Sequence, residues 1–391
     1  MRIALTPEEE ELRAKAEEYF SRLMTDEDRS ACRLDEFGDV NHRLAARMGA
    51  DGWLGLGWPV EYGGKGLGTV ADQVVVNAAF RYKVPFPLIT VHSIGPAIQQ
   101  VGTDEQKARF LEPIRTGNVH FCIGYTEPDA GTDLAALQLS ARREENEYVL
   151  NGQKIFTSGV HNANYIWLAC RTENGEKKHR GITILIVDTK LPGVSWTPIE
   201  IMSGNRAVNV TYFDDVRVPA NMLVGREHEG WRLITGQLNS ERAIVGPAGR
   251  MAAHVDRFRA WASATPGPRG EDTMLQLPEV RRTLGRLESF LRANELLNWK
   301  VAAATGEGVV SPADASVTKV YTSERLLHAA RLVADTVERV GDPADPGTAA
   351  LLDDVDFDLK TEMKLTVGGG ANEIQRELIG MLGLGLPKPL R

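Results

Sequence analysis

GYTEPDAGTDL, residues 124–134, is the stretch on which the reading of this chain turns. Pro128 and Gly131 set backbone direction, and Thr126, Asp129, Thr132 and Asp133 supply short polar side chains, so the segment reads as a turn-rich loop. It follows the β-rich run HFCIGY (120–125) and precedes LQLSARR (137–143), YVLNGQKIF (148–156), YIWLACR (165–171), GITILIVD (181–188) and VNVTYFDDVRV (208–218). Short apolar or alternating runs with glycine and polar turns between them predict a β domain, a sandwich or open barrel, over residues 119–227.

The texture on both sides is helical. Upstream, Thr6-Pro7 followed by acidic residues is a helix start, and apolar positions recur at helical spacing through Leu12, Ala16, Tyr19, Phe20 and Leu23. The Gly-rich loop WPVEYGGKGLG (58–68) leads into an apolar helical stretch over 70–82, and Thr103-Asp104 begins a further short helix. Downstream, long helical patterns return, clearest over 229–264 and 276–306, with loops at 265–270 and 341–347. The fold class is mainly α with a central β domain. Residues 1–118 form an N-terminal helical domain, 119–227 the β domain and 228–391 a C-terminal helical domain.

With 391 residues the chain can bury a large core shared by two or three domains. A net charge of −8 argues against non-specific binding to nucleic acid or acidic membranes, both of which need a basic surface. No segment approaches the ~20 apolar residues that cross a bilayer, and the acidic N-terminus has no apolar signal core. Cys32, Cys122 and Cys170 lack metal or redox spacing and read as reduced thiols. These features predict a soluble cytoplasmic protein.

Four segments in order resemble the acyl-CoA dehydrogenase family: GYTEPDAGTDL (124–134), NGQKIFTSG (151–159), FDDVRVPANMLVG (213–225) and ANEIQRELIG (371–380). The resemblance covers nearly the whole chain. It implies an N-terminal helical domain, a middle β-barrel or sandwich, a C-terminal four-helix bundle and FAD. It also implies α,β-dehydrogenation of an acyl-CoA thioester, with hydride passing from Cβ to flavin N5. By match to the family, Tyr125 and Thr126 contact the pyrimidine side of the ring and Phe156 lies beside it. Ser158 approaches N5, and Thr132 sits where the loop meets flavin or CoA. Short hydroxyls and close backbone N–H groups suit a ring that gathers negative charge on reduction.

Removing a weakly acidic α-proton needs a base beside it, and burial among apolar groups brings a carboxylate into the working range. The family places this Glu at one of two sites. Aligning Ile374-Gln375-Arg376 on the C-terminal pattern puts Gly369 at one of them, and glycine cannot act as a base. The other site, on the first long helix after the β domain, reads QLNSERAIVG (237–246). Glu241 is therefore the expected base, with Arg242 positioning it or contacting substrate. A helical Glu is ordinarily a solvated residue paired with a nearby arginine. The apolar neighbours Leu238, Ala243, Ile244 and Val245 and the glycine at 369 favour the catalytic role.

The family's R-x-x-F-G and Q-x-x-G-G segments, which serve the adenine and pyrophosphate of a neighbour's FAD, have no intact counterpart. TPGPRGED (265–272) lacks Phe-Gly, and Glu338-Arg339-Val340-Gly341-Asp342 sets carboxylates where a pyrophosphate would lie. This pattern resembles the α subunits of α2β2 acyl-CoA dehydrogenases that shorten steroid side chains. It implies a paralogous second subunit and an electron-transfer flavoprotein or similar acceptor. The acyl group is expected to be bulky or branched, and small Ser93, Gly95 and Ala97 permit a wide pocket or a close helix contact. Two other readings stay open: a non-catalytic flavoprotein partner subunit, and an oxidase or monooxygenase on the same fold.

Overall fold

The computed structural model describes residues 4–175 and 177–388, and the side chains of residues 239–245 lie outside that description. Helices come first: α1 (Pro7–Leu23), α2 (Asp26–Leu34), α3 (Asp39–Ala50), α4 (Gly68–Arg81), α5 (Gly95–Val101) and α6 (Asp104–Arg115). Thr6 starts α1 with a reciprocal cap. Its hydroxyl accepts from the Glu9 N–H at 3.2 Å, and the Glu9 carboxylate accepts from the Thr6 N–H at 2.8 Å. Thr103 and Gln106 repeat the device at α6.

The strands are β1 (Phe121–Gly124), β2 (Ser140–Glu144), β3 (Glu147–Lys154), β4 (Tyr165–Arg171), β5 (Ile182–Asp188), β6 (Val194–Ile199), β7 (Val208–Pro219) and β8 (Leu223–Val224). They form one sheet in the order β6-β7-β3-β2-β4-β5-β8, with β1 parallel to β4. β4 and β5 are buried along almost their whole length, which is why their sequences are continuous apolar runs. β7 instead alternates buried and exposed residues in its second half, as a half-solvated strand does.

Helices α7 (Gly230–Val245), α8 (Ala248–Ala264), α9 (Pro278–Gly306), α10 (Pro312–Val340), α11 (Pro346–Glu362) and α12 (Asn372–Leu378) complete the chain. The single helix expected over 229–264 is two helices. Pro247 lacks the N–H that a continuing helix needs, and the Gly246 carbonyl turns to the side-chain amides of Asn294 at 3.2 Å and Asn298 at 2.8 Å. Asn298 also accepts from the Ala248 N–H at 2.8 Å, so α9 caps the break from outside.

Two compact units result. One comprises Met1–Arg22, Thr69–Val84 and Arg242–Arg391, and the other Leu23–Gly68 and Pro85–Glu241. In the first, α8, α9, α10 and α11 enclose a core around Phe258, Trp261, Leu287, Leu326 and Val333. The second holds the sheet, α2, α3, α5 and α6, and α7 as far as Glu241. Among the described residues no helix is long and apolar enough to cross a membrane.

Candidate active site

The loop 124–134 leaves the end of β1 and is held by a buried ion pair. Lys154, fully buried at the end of β3, donates to the Tyr125 carbonyl at 3.0 Å and to Glu127 Oε1 at 2.7 Å. Burial pulls the Lys154 ammonium below the usual lysine range, and the Glu127 carboxylate opposes that shift. Glu127 also accepts the backbone N–H groups of Gln138 at 2.6 Å and Leu139 at 2.8 Å. The Ile155 N–H bonds the Thr126 carbonyl at 2.9 Å, so the two family segments are laced together by backbone as well as by charge. Their geometry is over-determined, which is what close approach to a planar ligand requires.

What these segments present outward is as informative. Phe156 is 58% exposed and has φ of +60°, a left-handed conformation that costs a non-glycine residue about 1–2 kcal/mol. A large apolar ring, left in water on a strained backbone, gives up stability twice, and such residues concentrate at ligand sites. Ser158 and Thr132 are exposed and Thr126 is half-buried. All of them lie on the two laced segments. Tyr125, expected at the pyrimidine side of the ring, turns its hydroxyl inward. The side chain is buried and its hydroxyl donates to Gln237 at 2.6 Å, while its carbonyl accepts from the buried Lys154.

A second clamp supports the mouth of the loop. The buried guanidinium of Arg171 donates to the carbonyls of Ala135, Leu137, Lys178 and Arg180 at 2.8 to 3.1 Å. Lys178 pairs with Asp133 across the same opening. Neither Lys154, Glu127 nor Arg171 was singled out in the sequence. The available signal was a lysine whose alternation along β3 puts it in phase with the buried Tyr148 and Leu150.

Glu241 and Arg242 stand on α7, but their side chains lie outside the described residues. The competing base position is described. Gly369 has φ of +70° and nothing within 4 Å of where a Cβ would stand, so a glutamate there would be strained though not crowded. Lys319 fixes the flanking backbone by donating to the Thr366 and Gly370 carbonyls at 3.1 and 2.7 Å.

Among the small residues expected to permit a wide pocket or a close helix contact, Gly95 has a packing reason. A Cβ there would lie 2.3 Å from the Trp58 ring. Ser93 accepts a hydrogen bond from the Gln237 amide at 2.9 Å.

The segments 265–272 and 338–342 do not fit a pyrophosphate. Glu271 accepts from the Arg269 N–H at 2.9 Å, which holds its carboxyl below the usual range. Asp342 accepts from the Ala344 N–H at 2.9 Å just beyond the negative end of α10. Carboxylates committed to their own turns, one of them just past a helix C-terminus, would repel a phosphate.

Comparison with known proteins shows the family. Residues 6–118, 122–216 and 228–384 match, in order, the N-terminal, middle and C-terminal domains of acyl-CoA dehydrogenase. The chain belongs to the acyl-CoA dehydrogenase family. It is 50% identical over 388 residues to acyl-CoA dehydrogenase FadE29 of Mycobacterium tuberculosis, covering 99% of each chain. A structure titled Tcur3481-Tcur3483 steroid ACAD matches with a TM-score of 0.90 and 39% identity over all of both chains. The ChsE4-ChsE5 complex from Mycobacterium tuberculosis matches with a TM-score of 0.89 and 41% identity, again over the full length of both chains. As an acyl-CoA dehydrogenase the chain is an enzyme acting on acyl-CoA, in a family of FAD-dependent oxidoreductases.

Proposed function

We propose that the protein is the catalytic subunit of a two-subunit FAD-dependent dehydrogenase for bulky or branched acyl-CoA thioesters, a steroid side chain among them. Its base is Glu241. The observation that carries the reading is the exposed Phe156 at a left-handed backbone, on segments pinned by the buried Lys154–Glu127 pair. Phe156, Ser158 and Thr126 would hold the isoalloxazine, with Thr132 at the boundary between flavin and CoA. Bound FAD supplies the acceptor for hydride leaving the acyl β-carbon.

Glu241 takes the α-proton, and Arg242 orients it or the thioester. The left-handed glycine at 369 supports this assignment, since the alternative position has no ionisable group. Acidic turns at 338–342 and 265–272 support a second, related subunit that lends the phosphate-binding half, and the relatives named for steroid substrates and two-chain complexes point the same way. An electron-transfer flavoprotein or similar carrier reoxidises the enzyme, which works in the cytoplasm.

Expression of the chain alone and with a paralogue encoded beside it tests the assembly. The chain alone is expected to be FAD-poor, and the pair to hold about two FAD per α2β2 tetramer. On the loaded complex, Glu241→Gln should abolish turnover and keep the flavin. A fully loaded homotetramer would overturn the partner, and an active Glu241→Gln would overturn the base.

A further inference from the structure

A buried hydrogen-bonded chain crosses the sheet-containing unit between the ring-binding loop and α7. The Trp167 indole on β4 donates to the Tyr125 hydroxyl at 3.2 Å, Tyr125 donates to Gln237 Oε1 at 2.6 Å, and Gln237 Nε2 donates to Ser93 Oγ at 2.9 Å. Exposure is 0% at Trp167, 7% at Tyr125, 5% at Gln237 and 4% at Ser93, so water does not compete for these groups. Donors and acceptors match along the chain. The indole N–H donates to the tyrosine oxygen, the tyrosine proton goes to the Gln237 carbonyl, and the Gln237 NH2 serves the serine.

Ser93 itself sits in a π-helical turn, Thr90–Ile94. Single π turns cluster at functional sites, because the widened backbone re-aims side chains. Trp58 caps this one by donating to the Val91 carbonyl at 3.1 Å and packs where Gly95 leaves room. An apolar core would fill the same space without the cost of four buried polar side chains. What the polar chain adds is a unique geometry.

Within the chain, Gln237 stands one helical turn before Glu241 and Tyr125 one residue before Thr126. We propose that Gln237 is a positioning residue for Glu241: with Tyr125 it fixes the rotation of α7 relative to the ring-binding loop, and so sets the base against the flavin and the α-carbon. The proposal rests on Glu241 being the base. It assigns Gln237 no contact with substrate or flavin.

The test uses the FAD-loaded enzyme and the variants Gln237→Met, Tyr125→Phe and their double. Each single variant should lower kcat about ten- to a hundredfold, the loss expected for a base displaced by a fraction of an ångström, with KM and FAD content within about twofold. The acid limb of the kcat–pH profile should move by about half a unit or more in both. The double variant should lose no more than the worse single one, because both cut the same chain. Should Gln237→Met fail to fold or to hold FAD, Tyr125→Phe and Ser93→Ala, which each remove one oxygen, carry the same readouts. Unchanged kcat, additive losses or an unmoved pH limb would overturn the proposal. Glu241→Gln separates the two levels. If it is inactive while Gln237→Met is fully active, the positioning role falls alone; if it is active, the base assignment falls first.

Discussion

Replacing Lys154 with methionine keeps nearly the same volume and removes one buried charge at the end of β3, where it holds the loop 124–134. The Tyr125 carbonyl loses its 3.0 Å donor, and Glu127 is left buried with two backbone donors and no counter-ion. Breaking a buried pair from one side costs about 3–5 kcal/mol, and the two remaining N–H groups on Glu127 place this case near 3. Unfolding entropy scales with length. The melting temperature should therefore fall by about 4 °C if the whole chain unfolds together and about 7 °C if the sheet-containing unit unfolds alone. Differential scanning calorimetry of the FAD-free chain measures it. Glu127→Gln in the Lys154→Met background removes the orphaned charge and should recover at least half of the loss. A Lys154→Met protein that melts within a degree of the parent would refute the reasoning. So would a double variant as unstable as the sum of the single ones.

Other consequences follow from strain and from burial. Phe156→Gly relieves a left-handed backbone and removes an exposed ring. The FAD-free chain should gain about 1 kcal/mol while the assembled enzyme binds FAD about fivefold more weakly, read by flavin fluorescence titration. Equal or tighter FAD binding would count against the ring platform. His120, stacked on His42 at 4.0 Å, is pushed down to about 4 by burial and then by His42. A histidine with a depressed folded pKa contributes stability that is present above its unfolded pKa and lost as the pH falls through the folded value. Between pH 7.5 and pH 5 this should remove about 2 kcal/mol. His120→Gln should flatten that part of the stability profile in urea unfolding at the two pH values, and identical slopes would refute it.

The helix–sheet–helix order and the family were legible in the sequence because they depend on local signals. Caps at Thr6 and Thr103, continuous apolar runs in β4 and β5, and short hydroxyls in a Gly/Pro loop each act within a few residues. The break at Gly246–Pro247 had a local signal too. Its stability does not, since the amides that satisfy it come from Asn294 and Asn298, which are distant in sequence. The two compact units likewise follow from contacts between remote segments. α1 and α4 belong with α8–α12, and α2, α3, α5 and α6 belong with the sheet, a division that composition does not display.

At the site, the sequence by itself determined which residue types are available: Glu241 on a helix, a glycine at 369, an aromatic at 156, and carboxylates where a pyrophosphate would otherwise bind. Only the tertiary structure decided which of them face outward and which are spent internally. The Tyr125 hydroxyl goes to Gln237, and Gly95, which could serve a wide pocket or a close contact, makes room for Trp58. Lys154, unremarked in the sequence, holds the loop. The reason is physical. A hydrogen bond or an ion pair between residues far apart in the chain leaves no periodic trace, and the worth of a charged group depends on the burial that folding imposes.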